Sequence, residues 1–428
     1  MKKIKYIDLF AGMGGLRLGF SQACDSLGFN HECVFSSEIK PYAVEIYQHN
    51  FENDYVHGDI TKIDASEIPD FDYLLAGFPC QAFSMAGKQL GFEDDRGTLF
   101  FDVARIIKEK KPIGFILENV EGLVTHDKKS KTDKIGNTLT TILNTLEKLD
   151  YKVTWKVLDS ADFGVPQTRK RIFIVGHLVN NPNLDDFKKS KKTIGEILEK
   201  GLPTIQSYFI DQLLKYYSVT ELQGKSIKDK RGGNGNIHSW DIALKGEINE
   251  TQKIIIERLL KERRKKHWAE LKGIVWMDGM PLTFDEIASF CTDISPKTLK
   301  ESLNDLENKG YLKVEHPKAL SVIDGKSKRI QDTSIEKGYN IVTGKLSFEF
   351  NEILHPDEIS NTLVATEVDR IAVVDENGIR RLSDKECLRF FGFSDGYQSN
   401  IPSSKLYDLI GNTVAVPVVK SVALRLLG

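Results

Sequence analysis

Hydrophobic positions in the first 180 residues alternate between short apolar runs and stretches with helical spacing. Helical spacing is clearest over residues 99–110 and 135–149. The apolar runs typical of strands cover residues 5–10, 33–36, 55–57, 72–76, 113–117 and 171–175. Repeated strand–helix alternation predicts an α/β fold, in which a parallel sheet is covered by helices on both faces.

The middle of the chain, from about residue 180 to 350, lacks this alternation and is richer in Lys, Asn and Gly. Its helical patterns and one short strand cover residues 250–270, 283–290, 295–309 and 311–314. Ser295 as N-cap, Pro296 in the first turn and Gly310 as the stop delimit the third helix. This order over residues 281–316 suits a small winged-helix unit or an ordinary α+β subdomain, and we favour the second.

From about residue 355 the strand and helix patterns return. Residues 371–374 have a strand pattern, and residues 384–391 and 416–427 have helical patterns. We therefore divide the chain into three segments, the last of which returns to the first domain. These segments are residues 1–178, 179–355 and 356–428.

Length and composition narrow the class of protein. A chain of 428 residues allows two or three domains, and 40% hydrophobic and 28% charged residues are typical of a soluble globular protein. We find no run of 18 or more apolar residues and no secretory signal, so we expect no membrane span and a cytosolic location. Five cysteines without a C-x-x-C pair indicate neither a disulfide framework nor a zinc site, and we expect no metal.

The net charge of −2 does not indicate nucleic-acid binding, because domains that bind nucleic acids are often strongly basic. Positive charge is nevertheless concentrated locally. Residues 253–272 hold eight Lys or Arg against three Glu, and residues 188–192 and 225–231 form smaller clusters. Each cluster suits either phosphate contacts or an ordinary solvated surface.

The first candidate site is the glycine-rich sequence D-L-F-A-G-M-G-G at residues 8–15, between a predicted strand and a predicted helix. Glycines at such a turn let the backbone approach a nucleotide-like ligand closely. Glu38, about 20 residues further on, suits ribose hydroxyls, and Asp59 suits an adenine amino group. The spacing G-x-G-G differs from the G-x-G-x-x-G of dinucleotide enzymes, so a tight connection without a ligand is the alternative.

The second candidate site is G-F-P-C-Q at residues 77–81, directly after a predicted buried strand. Cys80 would therefore lie at the carboxyl end of a sheet strand, where open α/β folds bind ligands. A thiol there becomes a nucleophile if its pKa is lowered or a base removes its proton. An inert, buried cysteine is the alternative.

The third candidate site is Glu118-Asn119-Val120, where the strand at residues 113–117 ends. Desolvation would raise the pKa of the Glu118 carboxyl and make it an acid near neutral pH. A helix N-cap or a surface glutamate is the alternative.

The fourth candidate site is Q-T-R-K-R at residues 167–171, before the last strand of the first domain. Arg169 and Arg171 are two residues apart, so along a strand they would face the same side. Two guanidiniums on one face suit a carbonyl oxygen or phosphates. A solvated strand edge is the alternative.

Six segments contain these motifs and two further ones near the C-terminus. In chain order they are DLFAGMGGLRLGF, GFPCQAFSMAGKQLGFEDDRGTLFF, ENV, QTRKRIFIVG, IRRLSDKECLRFFGF and GNTVAVPVV. They resemble the motif series of the cytosine-C5 DNA methyltransferases, chiefly those of bacterial restriction–modification systems. The resemblance covers roughly residues 1–178 and 355–428. It implies a Rossmann-like S-adenosylmethionine-dependent methyltransferase sheet and a smaller mixed target-recognition domain at 179–355.

The resemblance also implies a role for each motif residue. Cys80 would attack C6 of a flipped cytosine, and Glu118 would hold or protonate N3 of the base. Arg171, supported by Arg169, would bind O2 or steady the neighbouring loop. The expected S-adenosylmethionine contacts are Phe10, Ala11, Gly12, Gly14, Gly15, Leu16, Glu38, Ile39, Asp59, Ile60, Pro79, Leu99, Asn412 and Val414.

Duplex DNA is the partner that the resemblance implies. Candidates near the target nucleotide or reading base edges in the major groove are Gln81, Ser84, Arg231, Asn234, Asn236 and His238. The basic stretch 253–272 would contact phosphates. The candidates in the middle segment do not follow from the shared motifs, and the extra helices over residues 250–316 have no assigned role.

The predicted protein is thus a DNA cytosine-C5 methyltransferase that acts as a monomer on DNA in the bacterial cytosol, at the nucleoid, beside a partner restriction endonuclease. One alternative is the same fold acting on tRNA, which the long recognition segment disfavours. Another is a non-catalytic DNA-binding regulator that uses residues 281–316. The presence of all the residues expected for catalysis, among them Cys80 and Glu118, disfavours a non-catalytic protein.

Overall fold

The computed structural model describes residues 3–52, 54–79, 99–130, 132–230, 232–233, 235–275, 279–323, 326–343, 348–376 and 378–428. The chain divides into two compact units. Unit 1 comprises Met1–Glu199, Pro356–Asp369 and Leu382–Gly428, and unit 2 comprises Lys200–His355 and Arg370–Arg381. Residues 179–199 therefore belong to unit 1, whereas the sequence predicted that the second domain begins at residue 179.

The helices and strands are numbered along the chain. Up to residue 199 they are β1 (Ile4–Leu9), α1 (Gly15–Ser26), β2 (His31–Ser37), α2 (Pro41–Asn50), β3 (Tyr73–Ala76), α3 (Leu99–Lys110), β4 (Gly114–Val120), α4 (Asn137–Glu147), β5 (Lys152–Asp159) and β6 (Lys170–His177). From residue 200 to 381 they are α5 (Tyr208–Tyr216), α6 (Val219–Leu222), β7 (Ser226–Ile227), β8 (Asn236–Ile237), α7 (Glu250–Glu262), α8 (His267–Leu271), α9 (Phe284–Ala288), α10 (Pro296–Asn308), β9 (Leu312–Glu315), β10 (Lys318–Ile323), β11 (Lys326–Gln331), β12 (Gly338–Ile341), β13 (Glu352–Ile353), β14 (Ile371–Asp375) and β15 (Gly378–Arg381). The last three are α11 (Asp384–Arg389), α12 (Ser403–Asn412) and α13 (Val416–Leu427).

Unit 1 is built on a six-stranded sheet in the order β2-β1-β3-β4-β6-β5. The first four strands of this order pair in parallel, as the sequence predicted. Strand β6 instead runs antiparallel to both β4 and β5. No long crossover helix separates β5 from β6, and neighbouring strands joined by a short connection pair antiparallel. The predicted strand at 55–57 is only a single bridge between Ser37 and His57.

Helices cover both faces of this sheet, as predicted. Alternate residues of a strand point to opposite faces, and the two hydrophobic clusters follow that period. Leu74 and Ala76 of β3 pack in one cluster with α3 and α4. Leu75, between them, packs in the other cluster with α1 and α13. The C-terminal helix therefore completes the core that the N-terminal strands begin.

Helices α1 and α13 approach so closely that glycine is required at their contact. A Cβ atom on Gly19 would lie 2.5 Å from Cβ of Val419.

In the described chain, the stretch Ser403–Leu427 is long and apolar enough to cross a membrane, with a mean hydropathy of 1.4, but 61% of that window is buried within the protein. Most of these apolar residues therefore belong to the protein core, in α12 and α13.

Unit 2 contains two hydrophobic clusters. One lies against the five-stranded sheet β15-β14-β13-β7-β8 and includes Phe209 of α5 and Phe350. The other gathers side chains of α7, α8, α9 and α10 around Leu282, Tyr311 and Ile341. Unit 2 is thus mixed α/β, as the sequence predicted for the middle segment.

The second cluster of unit 2 has the connectivity of a winged helix. Helix α7 is followed by the α9–turn–α10 pair, and Ser295 caps α10 by accepting a hydrogen bond from the Thr298 backbone N–H. Strands β9 and β12 pair antiparallel, and Leu282 adds a bridge to Tyr339. The antiparallel hairpin β10–β11 lies between β9 and β12 in the chain. This order of elements favours the winged-helix alternative over the ordinary α+β subdomain that we preferred from the sequence.

Candidate active site

A cavity of about 440 Å³ opens at the carboxyl ends of β1, β2, β3 and β4 in unit 1. Its volume falls in the range of small-molecule sites. Strand β1 has β2 on one side and β3 on the other, and this reversal of strand order is where open α/β sheets bind ligands. Thirteen of the fourteen predicted cofactor residues line it: Phe10, Ala11, Gly12, Gly15, Leu16, Glu38, Ile39, Asp59, Ile60, Pro79, Leu99, Asn412 and Val414.

The glycine turn after β1 forms one wall of the cavity and contains unusual backbone conformations. Phe10 has a φ of 56° and Gly14 a φ of 80°, both left-handed. Gly14 is the predicted residue that does not line the cavity. It caps α1, and a Cβ there would lie 2.3 Å from the Phe51 ring. Gly14 therefore shapes the turn, while Gly12 and Gly15 expose backbone to the cavity.

Glu38, at the end of β2, holds the glycine turn in place. One carboxylate oxygen accepts a hydrogen bond of 2.8 Å from the Gly12 backbone N–H. The other accepts bonds from the N–H groups of Ile39 and Lys40. A carboxylate can accept about four hydrogen bonds, so acceptor capacity is left for a ligand hydroxyl.

Asp59 also lines the cavity, and it precedes a short 3-10 turn, Ile60–Lys62. Its Oδ1 accepts hydrogen bonds from both the backbone N–H and the hydroxyl of Thr61. Both bonds lower the pKa of the Asp59 carboxyl, and the bond from the Thr61 hydroxyl has the larger effect. Asp59 is therefore a charged acceptor in the cavity at neutral pH.

Glu118 enters the cavity from β4 and is buried. Burial raises the pKa of its carboxyl, and the nearby guanidiniums of Arg171 and Arg169 oppose the rise only in part. The Arg171 Nε lies 3.1 Å from Oε1 of Glu118. A Cβ on Gly77 would lie 3.6 Å from Oε2, so the carboxyl group sits beside the segment that leads to Pro79. The direction of this shift agrees with the sequence prediction, and the role of Glu118 as an acid stays a prediction.

Arg169 also lines the cavity, but its guanidinium contacts the protein backbone. It donates hydrogen bonds to the carbonyl oxygens of Gly411 at 3.0 Å, Thr413 at 2.8 Å and Leu363 at 3.3 Å. The guanidinium also lies 5.3 Å from the centroid of the Phe391 ring. We predicted a catalytic role for Arg169. These contacts favour a positioning role, in which Arg169 holds the C-terminal segment against the cavity, and the catalytic role stays a prediction.

The C-terminal segment is joined to the glycine turn by several side chains. The Tyr397 hydroxyl donates to the Met13 carbonyl at 2.7 Å. Asp408 of α12 accepts hydrogen bonds from Lys40 at 2.7 Å and Tyr42 at 2.6 Å. Through these contacts α12 and the residues after it complete the cavity wall.

Several cavity residues were given no individual role from the sequence, although Met13, Gly77, Phe78, Asn119 and Val120 lie within the candidate motifs. They are Met13, Ser37, Lys40, Gly58, Thr61, Gly77, Phe78, Asn119, Val120, Leu409, Gly411 and Thr413. Each is a sequence neighbour of a predicted residue or lies close to one, so proximity was the available signal. Asn119 also joins two motifs, because its side-chain amide donates to the Phe78 carbonyl at 3.2 Å.

Five predicted residues lie outside the described residues, namely Cys80, Gln81, Ser84, Arg231 and Asn234. Asn236 and His238 are described and belong to unit 2. The Asn236 amide donates to the Lys228 carbonyl at 2.9 Å. The His238 ring stacks on Trp240 at 4.4 Å, and its Nδ1 lies 3.0 Å from Oδ2 of Asp241. Both side chains therefore hold their own loop together.

Most of the basic stretch 253–272 is engaged within unit 2. Five of its eight basic side chains contact an acidic or amide partner: Lys253 with Asp241, Arg258 with Asp293, Arg263 with Asn340, Lys265 with Glu262 and Lys272 with Glu286. Four of these partners are carboxylates, which reduces the positive charge that the stretch offers to phosphates. Within the described part of the chain, no three His, Cys, Asp or Glu side chains are grouped so that they could hold a metal ion.

Comparison with known proteins agrees with this geometry. Residues 4–428 match the model of the C-5 cytosine-specific DNA methylase family. The chain is 57% identical over 427 residues to the type II methyltransferase M.NlaIV of Neisseria lactamica, covering 100% of this chain and 99% of that protein. It is 56% identical to M.NgoBV of Neisseria gonorrhoeae and 40% identical to M.HgiCI of Herpetosiphon aurantiacus, over nearly the whole chain in both cases.

Solved structures agree on the fold. The Entamoeba histolytica methyltransferase EhMeth has a TM-score of 0.53 at 16% identity, covering 100% of this chain and 98% of that one. The S. pombe Dnmt2 methyltransferase also has a TM-score of 0.53, at 16% identity and with 99% and 98% coverage. The resemblance found in the motifs is confirmed, and the chain belongs to the C-5 cytosine-specific DNA methylase family.

Proposed function

We propose that this protein is a type II DNA methyltransferase that transfers a methyl group from S-adenosylmethionine to C5 of a cytosine in duplex DNA. The observation that carries the proposal is the buried Glu118 carboxyl, 3.1 Å from the Arg171 guanidinium in a cavity lined by the glycine turn. A cytosine ring within a stacked duplex is not accessible to such a cavity, so the base is flipped out of the helix.

The residues divide the reaction into easier steps. The Cys80 thiolate forms a bond to C6, and Glu118 gives a proton to N3 so that the electron pair does not remain as ring charge. C5 then carries the electron density that bonds to the methyl group, which S-adenosylmethionine would supply, leaving S-adenosylhomocysteine. A base, such as water, removes the C5 proton, the C6–S bond breaks to restore the thiolate, and N3 returns its proton to Glu118. The raised pKa of Glu118 supports this role, because burial favours the protonated carboxyl, which has a proton to give.

The cavity fits S-adenosylmethionine, which supplies the methyl group when bound. The Phe10 ring offers a stacking surface for an adenine, and Glu38 keeps acceptor capacity for ribose hydroxyls beside its three backbone bonds. Asp59 offers a charged acceptor for an amino group. Arg171 would hold Glu118 and contribute a donor toward O2 of the base.

A covalent trap tests this chemistry. DNA that carries 5-fluorocytosine at the target has no C5 proton to lose, so the enzyme should remain bonded to it through residue 80. Cys80→Ser should form no adduct, and Cys33→Ser, a cysteine outside the cavity, should form it normally. Methyl transfer without any adduct would reject the mechanism. Transfer to tRNA but not to duplex DNA would favour the alternative substrate.

We infer further that the protein modifies the same DNA sequence as M.NlaIV. The similarity to M.NlaIV spans the whole chain and therefore includes the segment between the motifs, whereas the similarity to M1.ScrFI covers 46% of this chain. DNA that M.NlaIV has fully methylated should accept no labelled methyl groups from this enzyme. DNA methylated by M1.ScrFI should still accept them, and equal labelling of the two DNAs would reject the inference.

The same function implies a cytosolic location at the DNA, action as a monomer and pairing with a restriction endonuclease. In the described part of the chain, one cavity gathers all the predicted cofactor residues except Gly14, together with Glu118, Arg169 and Arg171, which supports the monomer. Sedimentation of the protein with a single-site duplex should give one protein per duplex. A neighbouring endonuclease gene whose product is blocked by this modification would support the pairing.

A further inference from the structure

Unit 2 carries a surface whose function neither the family motifs nor the cavity explains. It consists of the exposed side of α10, with Lys297 and Lys300, and of the hairpin β10–β11, with Lys318 and Lys328. We call it the wing surface. We propose that the wing surface is a second DNA-contacting element, with α10 in the major groove and the hairpin against the neighbouring backbone. This inference rests on the proposed function for the identity of duplex DNA as substrate.

Helix α10 has one face in the core and one in solvent. Leu299, Leu303 and Leu306 are buried with side chains of α7 and α9. Lys297, Lys300 and Glu301 lie on the exposed side. In a helix–turn–helix the second helix is the one that enters the major groove. Lys and Glu are side chains that read guanine and cytosine edges there, respectively.

The charge of the wing surface is available to a partner. Within the described part of the chain, none of Lys297, Lys300, Lys318 and Lys328 forms an ion pair, unlike Lys253 and Arg258 of α7 and the nearby Lys265. The hairpin segment 318–331 has four basic residues and one acidic residue, in a chain whose net charge is −2. This local excess of positive charge complements DNA phosphates.

The hairpin also exposes apolar side chains on both faces. Leu320 is 50% exposed, Val322 is 71% exposed and Ile330 is 45% exposed. Exposed apolar groups of this kind mark interaction surfaces. Proteins that contact the minor groove combine basic side chains with apolar ones that reach between base steps. The neighbouring cations therefore favour DNA over an apolar protein partner.

Two double variants test the proposal in the full-length enzyme. Lys297→Ala with Lys300→Ala removes the helix charges, and Lys318→Ala with Lys328→Ala removes the wing charges. Lys215→Ala is the matched control, because Lys215 is an exposed lysine of α5 outside the wing surface. Thermal unfolding and S-adenosylmethionine binding should be the same in all four proteins, since the altered side chains lie in solvent.

The readouts are salt-dependent binding to a 40-base-pair duplex of random sequence and methyl transfer to plasmid DNA. Each lost phosphate contact reduces the magnitude of the slope of log K against log salt by about 0.9. The slope of the wing variant should therefore be shallower than the wild-type slope by about 2. The helix variant should raise the KM for plasmid several-fold with little change in kcat, because α10 binds DNA without touching the reacting base.

The outcomes separate this inference from the proposed function. If both double variants keep the wild-type slope and KM, the wing surface contacts something other than DNA, such as a protein, and the inference is rejected while methyl transfer stands. If the wild-type protein transfers no methyl groups to plasmid, the proposed function fails, whereas a loss of slope in the wing variant would still support DNA contact.

Discussion

Replacement of Arg169 by methionine tests whether this residue positions the cavity wall or acts on the reacting base. The buried guanidinium donates to three carbonyl oxygens, two of which belong to Gly411 and Thr413 of the C-terminal segment. A hydrogen bond to a charged group contributes about 1.5–3 kcal/mol. Methionine keeps the length of the side chain but leaves the carbonyls without their donor, so local stabilisation should fall by about 3–5 kcal/mol after relaxation.

Part of that loss should appear as weaker S-adenosylmethionine binding, because Asn412 and Val414 line the cavity beside the carbonyls that Arg169 holds. A cost of about 1.4–2.8 kcal/mol corresponds to a 10- to 100-fold higher Kd. Arg169→Lys should recover part of the affinity, since one ammonium can reach one or two of the carbonyls. Equilibrium binding of the cofactor and steady-state methylation would be measured on the same preparations.

A positioning role predicts that kcat at saturating S-adenosylmethionine stays within a few-fold of the wild-type value. If Arg169→Met left the Kd unchanged and lowered kcat by orders of magnitude, the guanidinium would act on the base. The contacts to Gly411 and Thr413 would then be incidental, and our assignment would be refuted.

Three further predictions concern buried or clamped carboxyl groups. Glu118→Gln should lower turnover at least 100-fold without weakening DNA binding, because the amide keeps the shape but has no proton to give. Equal turnover would remove Glu118 from the mechanism. Glu38→Ala should weaken S-adenosylmethionine binding about 10-fold or more, because the Gly12 backbone N–H loses its acceptor. Calorimetry would measure the Kd, and an unchanged value would show that this hydrogen bond does not matter for binding. Burial raises the pKa of Asp8 to about 8. The native state therefore holds a proton that the unfolded chain releases near pH 4, and this contribution to stability is lost as pH rises toward 8. Between pH 6 and 9 the free energy of unfolding should fall by about 2–3 kcal/mol more in the wild type than in Asp8→Asn, and parallel urea curves for the two proteins would contradict the reasoning.

The sequence predicted those parts of the fold whose signal is local. Strand β3 is a short apolar run that ends before Gly77, and the apolar run of β4 ends at Glu118, so the motifs mark the ends of both runs. Strand β5 was missed because its sequence, K-V-T-W-K-V-L-D, is half exposed and interleaves lysines with apolar residues. The hairpin β10–β11 had a sequence signal that we overlooked, an Asp-Gly pair at residues 324–325 between alternating apolar positions.

The site was predictable as far as chemistry dictates residue type. Glycines, carboxylates and arginines in ordered motifs identified most of the cavity lining. The hydrogen bonds of Arg169 to backbone carbonyls could not be predicted, because these carbonyls lie more than 190 residues away along the chain. His238 was chosen for its polarity, yet a polar ring serves equally well in an internal stack with Trp240. Residue type alone does not distinguish a group that binds a ligand from one that binds its own protein.

The packing of α13 against α1 has a consequence for how the enzyme matures on the ribosome. The cavity wall at Gly411–Val414 and α13, which anchors it, are synthesised long after the glycine turn on the opposite side of the cavity. A chain that ends before residue 411 would lack one side of the cofactor cavity. Its methylating activity should therefore arise only after α13 has been synthesised, and released fragments without this segment should leave chromosomal cytosines untouched.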